Sequence, residues 1–172
     1  SVDNNSAVIV GEVGEICARS YAVMIEYNDN PQATASAIDS DGWLHTGDLG
    51  TMDCHGFIRV TGRVKDMIIR GGENHFPAEI EAVLVMHPQV SQVAVVGLPD
   101  EKWGEIIAAF IISDTALDPN DLRVHCRMHL SPQKMPSIWV HVPKFPLTGS
   151  GKVQKFTIRE RYLAGNYGKV LI

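Results

Sequence analysis

The chain has 172 residues, 45% hydrophobic and 20% charged, enough to bury a core in one full domain and part of another. With 15 Lys and Arg against 20 Asp and Glu, its net charge is −5 and its pI near 5.7. That balance excludes the concentrated basic surface that nonspecific nucleic-acid binding requires.

No uninterrupted apolar run approaches the roughly 20 residues of a membrane-spanning helix. The opening residues have neither the basic region nor the apolar core of a signal peptide. Cys17, Cys54 and Cys126 are far apart and lack Cys-x-x-Cys spacing, which fits reduced thiols and a cytoplasmic location. His125 and His129 stand four apart on a predicted helix, but no Glu follows the first as in the zinc-protease pattern, so no metal site is expected.

In chain order, residues 8–18 alternate apolar and polar around Gly11 and Gly14, and 21–27 is a second short apolar run. Together they predict two strands joined by a turn. Residues 28–40 are a polar, proline-containing segment, and 42–50 are turn-rich. Asp53-Cys54-His55-Gly56 is a hairpin turn between strands at 49–52 and 57–60, which places Asp48 at a strand edge.

The stretch 62–81 organises the rest. Gly62 and a charged run open it, a short apolar run follows, and Gly71-Gly72 breaks that run in a hairpin. Pro77 then starts a helix with Glu79 and Glu81 near its positive end and Ile80, Val83 and Leu84 on one face, until His87-Pro88 stops it. Two apolar runs, 90–98 and 105–113, flank a polar turn. Asp118 caps a helix through Leu122, Cys126, His129 and Leu130, ended by Pro132. Ile138, Val140 and Val142 alternate with Trp139 and His141 in a third strand, and 157–164 is a short helix after the loop 146–151.

Three stretches carry a resemblance. Gly42-Trp43-Leu44-His45-Thr46-Gly47-Asp48, the stretch from Gly62-Arg63-Val64-Lys65-Asp66 through Arg70-Gly71-Gly72-Glu73-Asn74, and Pro146-Leu147-Thr148-Gly149-Ser150-Gly151-Lys152-Val153-Gln154-Lys155 occur in that order. Together they resemble motifs of the adenylate-forming enzymes, the superfamily of acyl-CoA synthetases, peptide-synthetase adenylation domains and firefly luciferase. Glu26, in Met24-Ile25-Glu26-Tyr27, replaces a glycine common in that family.

The resemblance implies an α+β fold: a small mixed α/β C-terminal domain preceded by a β-rich remnant of a large N-terminal domain. Residues 1–61 would end the large domain, 62–66 form the hinge, and 67–172 make the mobile C-terminal domain. The phosphate loop, adenine pocket and acyl pocket of such enzymes are missing. The chain is therefore expected to be about the last third of one, and inactive alone. The reaction implied is acid, ATP and coenzyme A to acyl-CoA, AMP and pyrophosphate through an acyl-adenylate, with Mg2+ in the whole enzyme and a fatty acid as substrate.

Each implied residue also has a plain structural reading. Lys152 matches the lysine required for adenylation, where an ammonium stabilises charge between carboxylate and α-phosphate; by itself it is a solvated loop lysine. The run before it is not a nucleotide P-loop, since position 146 is Pro146 and position 153 is Val153. Asp48 would accept hydrogen bonds from ribose hydroxyls, or cap its own turn. Arg63 would contact ribose, or pair with a surface carboxylate. Lys65 matches the hinge residue, or is a linker charge. Gly71 and Gly72 would line the pantetheine channel, or simply make the hairpin. Trp103 and Lys134 would meet the coenzyme A nucleotide by stacking and charge, or serve packing and solvation.

Two alternatives stand beside this reading. One is an acyl-AMP ligase loading a carrier protein. The other is a stand-alone interaction module of the same fold without catalysis.

Overall fold

The computed structural model describes residues 1–2 and 6–167, with the backbone of 170–171. The chain divides into two units, Ser1–Lys65 and Asp66–Ile172.

The first unit is an antiparallel three-stranded sheet in the order β1-β2-β3, with β1 at Gly14–Ala18, β2 at Leu44–Met52 and β3 at Ile58–Arg63. Helix α1, Pro31–Ala37, lies between β1 and β2 in sequence. Its start follows from local chemistry: Asn30 accepts the N–H of Ala33 at 3.0 Å, and Pro31 opens the first turn. It buries no residue, so no apolar stripe announced it.

The second strand expected at 21–27 does not form. Tyr21 and Ile25 are fully exposed, and an apolar run with no neighbouring strand has nothing to complete its ladder. The strand containing Asp48 is longer than its turn-rich sequence indicated. Asp48 sits inside the central strand rather than at a strand edge, directly opposite Arg63 of β3.

The second unit holds a six-stranded sheet. β4 (Ile68–Arg70) and β5 (Glu73–His75) form the hairpin around Gly71-Gly72, and α2 follows at Pro77–Leu84, starting at the proline the sequence marks. β6 (Gln92–Asp100) and β7 (Gly104–Ile112) pair antiparallel over nine residues each. α3 (Pro119–Arg127) is capped by Asp118, whose carboxylate accepts the N–H of Asn120 at 2.8 Å. The chain crosses through α3 to β8 (Ile138–His141), which lies parallel to β7; α4 (Lys155–Leu163) and β9 (Val170–Leu171) complete the unit.

This sheet is covered on both faces. Val95, Ile107, Ala109, Ile111 and Trp139 face α2 and α3, meeting Ile80, Leu84, Leu122 and Cys126. The alternate residues Ala94, Val96, Leu98, Ala108, Phe110 and Val140 face α4 through Ile158. Period-two alternation thus divides two buried faces rather than an inside from an outside. The mixture of sheets with four helices is the expected α+β class.

Candidate functional site

In the first unit the register of β2 against β3 sets Asp48 beside Arg63, and Arg63 Nε donates to Asp48 Oδ1 at 2.9 Å. The pair is largely solvent-accessible, with side-chain exposures of 60% for Arg63 and 35% for Asp48, so as a salt bridge it adds little stability. What it does is orient the carboxylate: Oδ1 is held, and Oδ2 has no hydrogen-bond partner among the described residues. Lys65 is exposed in a single 3-10 turn, Val64–Asp66.

In the second unit, Lys152 lies on an exposed loop closed like a small hairpin. The Thr148 N–H donates to the carbonyl of Lys152 at 2.8 Å, the Lys152 N–H to Thr148 Oγ1 at 3.0 Å, and Leu147 bridges Val153. Gly151, with φ of +83°, makes the turn. The ammonium itself has no hydrogen bond or ion pair among the described residues. Lys134 and Lys155 do: Lys134 donates to both oxygens of Glu79 at 2.6 and 2.7 Å, and Lys155 pairs with Glu81 at 2.8 Å. Lys134 is therefore committed to a carboxylate within its own unit.

Gly71 and Gly72 both have positive φ, +60° and +84°. The Gly71 N–H donates to the carbonyl of Trp103 at 2.8 Å, and a Cβ at Gly71 would stand 3.0 Å from the indole. The turn and Trp103 thus form one surface. The indole is 42% exposed, with Arg70 5.6 Å and Lys102 4.9 Å from its ring centre. The two flanking cations lie 33 and one residue away in sequence from Trp103, and only the hairpin brings Arg70 to it.

At the end of β5, His75 is buried with both ring nitrogens lacking a hydrogen-bond partner among the described residues. Burial holds its pKa below the ordinary imidazole value. Glu73 at 3.9 Å pulls the other way, but it is 64% exposed and beyond hydrogen-bond reach, so desolvation prevails.

A second polar cluster lies on β1 and β2, where sequence spacing gave no sign of one. Cys17 pairs in register with His45, and Glu15 lies two residues along the same strand. His45 Nδ1 is 2.8 Å from Glu15 Oε2 and 3.6 Å from Cys17 Sγ, while His45 Nε2 is 3.4 Å from Asp39 Oδ2. The hydrogen bond with Glu15 raises the His45 pKa, and burial, then the charge of Glu15, raises that of Cys17. The signal that could have found this cluster is the cross-strand register, which one sequence does not print.

Among the described residues no helix is long and apolar enough to cross a membrane. Residues 79–152 match the family described as the AMP-binding enzyme C-terminal domain. YngI of Bacillus subtilis is 47% identical over 153 residues, 88% of this chain and 28% of that protein. The human mitochondrial protein named medium-chain acyl-CoA ligase ACSF2 is 45% identical over 152 residues, 86% of this chain and 24% of that protein. The crystal structure of ATP-bound MatB from Rhodopseudomonas palustris is similar with a TM-score of 0.84 at 34% identity, covering 90% of this chain and 31% of that one. The chain spans about a quarter of the length of the curated relatives it matches.

Proposed function

We propose that this chain, which belongs to the adenylate-forming enzymes and carries their AMP-binding C-terminal domain, is the C-terminal part of an acyl-CoA synthetase. In this reading residues 1–61 end the large nucleotide-binding domain, 62–66 with Lys65 are the hinge, and 67–172 rotate between two half-reactions. The acid first attacks the α-phosphate of ATP, giving acyl-adenylate and pyrophosphate; coenzyme A then attacks the acyl carbon, giving the thioester and AMP.

The observation that carries the reading is the state of Lys152. Its backbone is fixed by Thr148 while its ammonium is exposed and unpaired among the described residues, unlike Lys134 and Lys155. A cation kept free at the crest of an ordered loop suits transient stabilisation of phosphate charge better than structural pairing does. Asp48, oriented by Arg63, has the free acceptor that ribose hydroxyls require. The side-chain-free turn at Gly71-Gly72 suits a thin pantetheine arm, and the indole of Trp103 between two cations suits an adenine nucleotide. Mg2+ enters with the ATP phosphates, and no residue of this chain is assigned to hold it.

The substrate in this reading is a fatty acid of medium or long chain; the name of the ACSF2 relative supports a medium-chain acyl group. The compartment is a reducing one, supported by three free cysteines: the cytoplasm first, with the mitochondrion of the ACSF2 relative as the alternative.

The test is Lys152→Ala in the parent enzyme containing this chain. Adenylation, followed as pyrophosphate release, should fall about 100- to 1,000-fold, the usual effect of removing one transition-state charge partner. Thioester formation from supplied acyl-adenylate should persist. Loss of the second step with the first intact would overturn the assignment, and mass spectrometry of the product would distinguish coenzyme A from a carrier protein as acceptor.

A further inference from the structure

We propose that Glu15, Cys17 and His45 form a binding site for one zinc-like divalent cation that braces β1 against β2, with Asp39 orienting His45 from behind. One thiol sulfur, one imidazole nitrogen and one carboxylate oxygen, all partly buried, come within 4.8 Å of one another. Zinc bonds of roughly 2.0 to 2.3 Å at tetrahedral angles place ligand atoms about 3.3 to 3.7 Å apart. The 3.6 Å between Cys17 Sγ and His45 Nδ1 already has that spacing, and the 2.8 Å between His45 Nδ1 and Glu15 Oε2 needs to open by about half an ångström.

His45 Nδ1 faces both Cys17 Sγ and Glu15 Oε2. A cation at their common centre would bind all three donors in place of the proton that Nδ1 shares with Glu15. The surroundings supply the rest of a metal site. Asp39 lies on the far nitrogen of the ring, the carboxylate–histidine arrangement that fixes the tautomer of a metal ligand. Glu15 is anchored by its other oxygen, Oε1, which accepts the Gly47 N–H at 2.9 Å. The three donors also line a cavity of about 570 Å³ together with Trp43 and Thr51, which gives a water room to take the fourth position.

The sulfur decides the class of ion. A thiolate with imidazole and one carboxylate favours zinc over magnesium or calcium, which take oxygen donors. Uptake balances by proton release: the Cys17 thiol loses its proton to solvent, and His45 loses the Nδ1 proton while keeping the one on Nε2 toward Asp39.

The experiment titrates the full chain, stripped of metal, with Co2+ and then Zn2+. Expected is one equivalent bound, with a thiolate-to-cobalt charge-transfer band in the near ultraviolet and the intense visible bands of a tetrahedral site, bleached by one equivalent of zinc. Cys17→Ser should lose the charge-transfer band, and Cys54→Ser should keep it. Asp39→Asn, which leaves all three donors in place, should weaken zinc binding about 10- to 100-fold. A zinc-dependent rise in the melting temperature of the unsubstituted chain, reduced by Asp39→Asn, reads the same site without any change to a ligand. Absence of the bands and of that rise overturns the proposal, as does a charge-transfer band that survives Cys17→Ser.

Discussion

Glu81 ties three elements of the second unit together, and replacing it should cost far more than its position on a helix surface implies. Its Oε1 accepts from the Val95 N–H of β6 at 2.7 Å and from Lys155 Nζ at the start of α4 at 2.8 Å. Among the described residues β6 pairs only with β7, so the Val95 N–H that points away from β7 has no strand there to meet. Val95 is fully buried, and Glu81→Ala would leave that N–H without a partner, at about 1–3 kcal/mol. The ion pair with Lys155, each side chain 21% exposed, adds at most about 1 kcal/mol after solvent screening. The loss for Glu81→Ala is therefore about 1–4 kcal/mol, whereas Glu81→Gln keeps an acceptor for Val95 and should lose at most about 1 kcal/mol. Urea unfolding gives the totals, and amide hydrogen exchange at Val95 isolates the strand contact. Equal losses for Ala and Gln, or unchanged protection of the Val95 amide in Glu81→Ala, would refute the reasoning.

Two further outcomes follow from the buried imidazole and the glycine turn. The folded-state pKa of His75 lies below its ordinary value of 6.5, so its neutral form belongs to the folded chain. Its contribution is complete above pH 6.5 and is lost as pH falls from there through the lowered value. His75→Leu should flatten that acid loss in urea unfolding repeated across pH, leaving a smaller remainder from His87, which burial and then His125 also lower. Parallel stability curves for the two proteins would contradict this. At the turn, Gly71→Ala should destabilise by about 1–2 kcal/mol from its left-handed backbone and also displace the indole 3.0 Å away. Gly72→Ala meets nothing within 4 Å, so it should carry backbone strain alone and leave Trp103 fluorescence unchanged. A spectral change in Gly72→Ala but not Gly71→Ala would reverse that assignment.

The second unit was the more legible in the sequence because its elements carry their own punctuation. Pro77 and Asp118 start α2 and α3 where local chemistry says they should, and β6, β7 and β8 are runs too apolar for anything but burial. Alternation at 138–142 separated Trp139 from Val140 without revealing that helices cover both sides. The first unit was less legible. The run 21–27 has strand composition but no partner, and α1 has a good cap but no buried face. Among candidate residues, Asp48 and Arg63 stand at motif positions, but their contact depends on a pairing across 15 residues. The association of Trp103 with Gly71 is likewise a product of tertiary pairing, between β4 and β7.

One distortion of β2 links the two polar groups of the first unit. Between the pairs Glu15–Leu49 and Cys17–His45, β1 advances two residues while β2 advances four. The surplus is taken up around Gly47, whose φ of +72° no ordinary strand residue adopts readily. A second irregularity follows on the β3 side between Leu49 and Gly50. Asp48 stands between the two, in a short segment whose direction both bulges set, and it is aimed at Arg63 rather than along the regular ladder. Glu15 holds the bulge from beneath through the Gly47 N–H and, through His45, its near end. The carboxylate that closes the His45 cluster is thus also the one that fixes the segment carrying Asp48, so the brace and the proposed ribose contact share a single mechanical element.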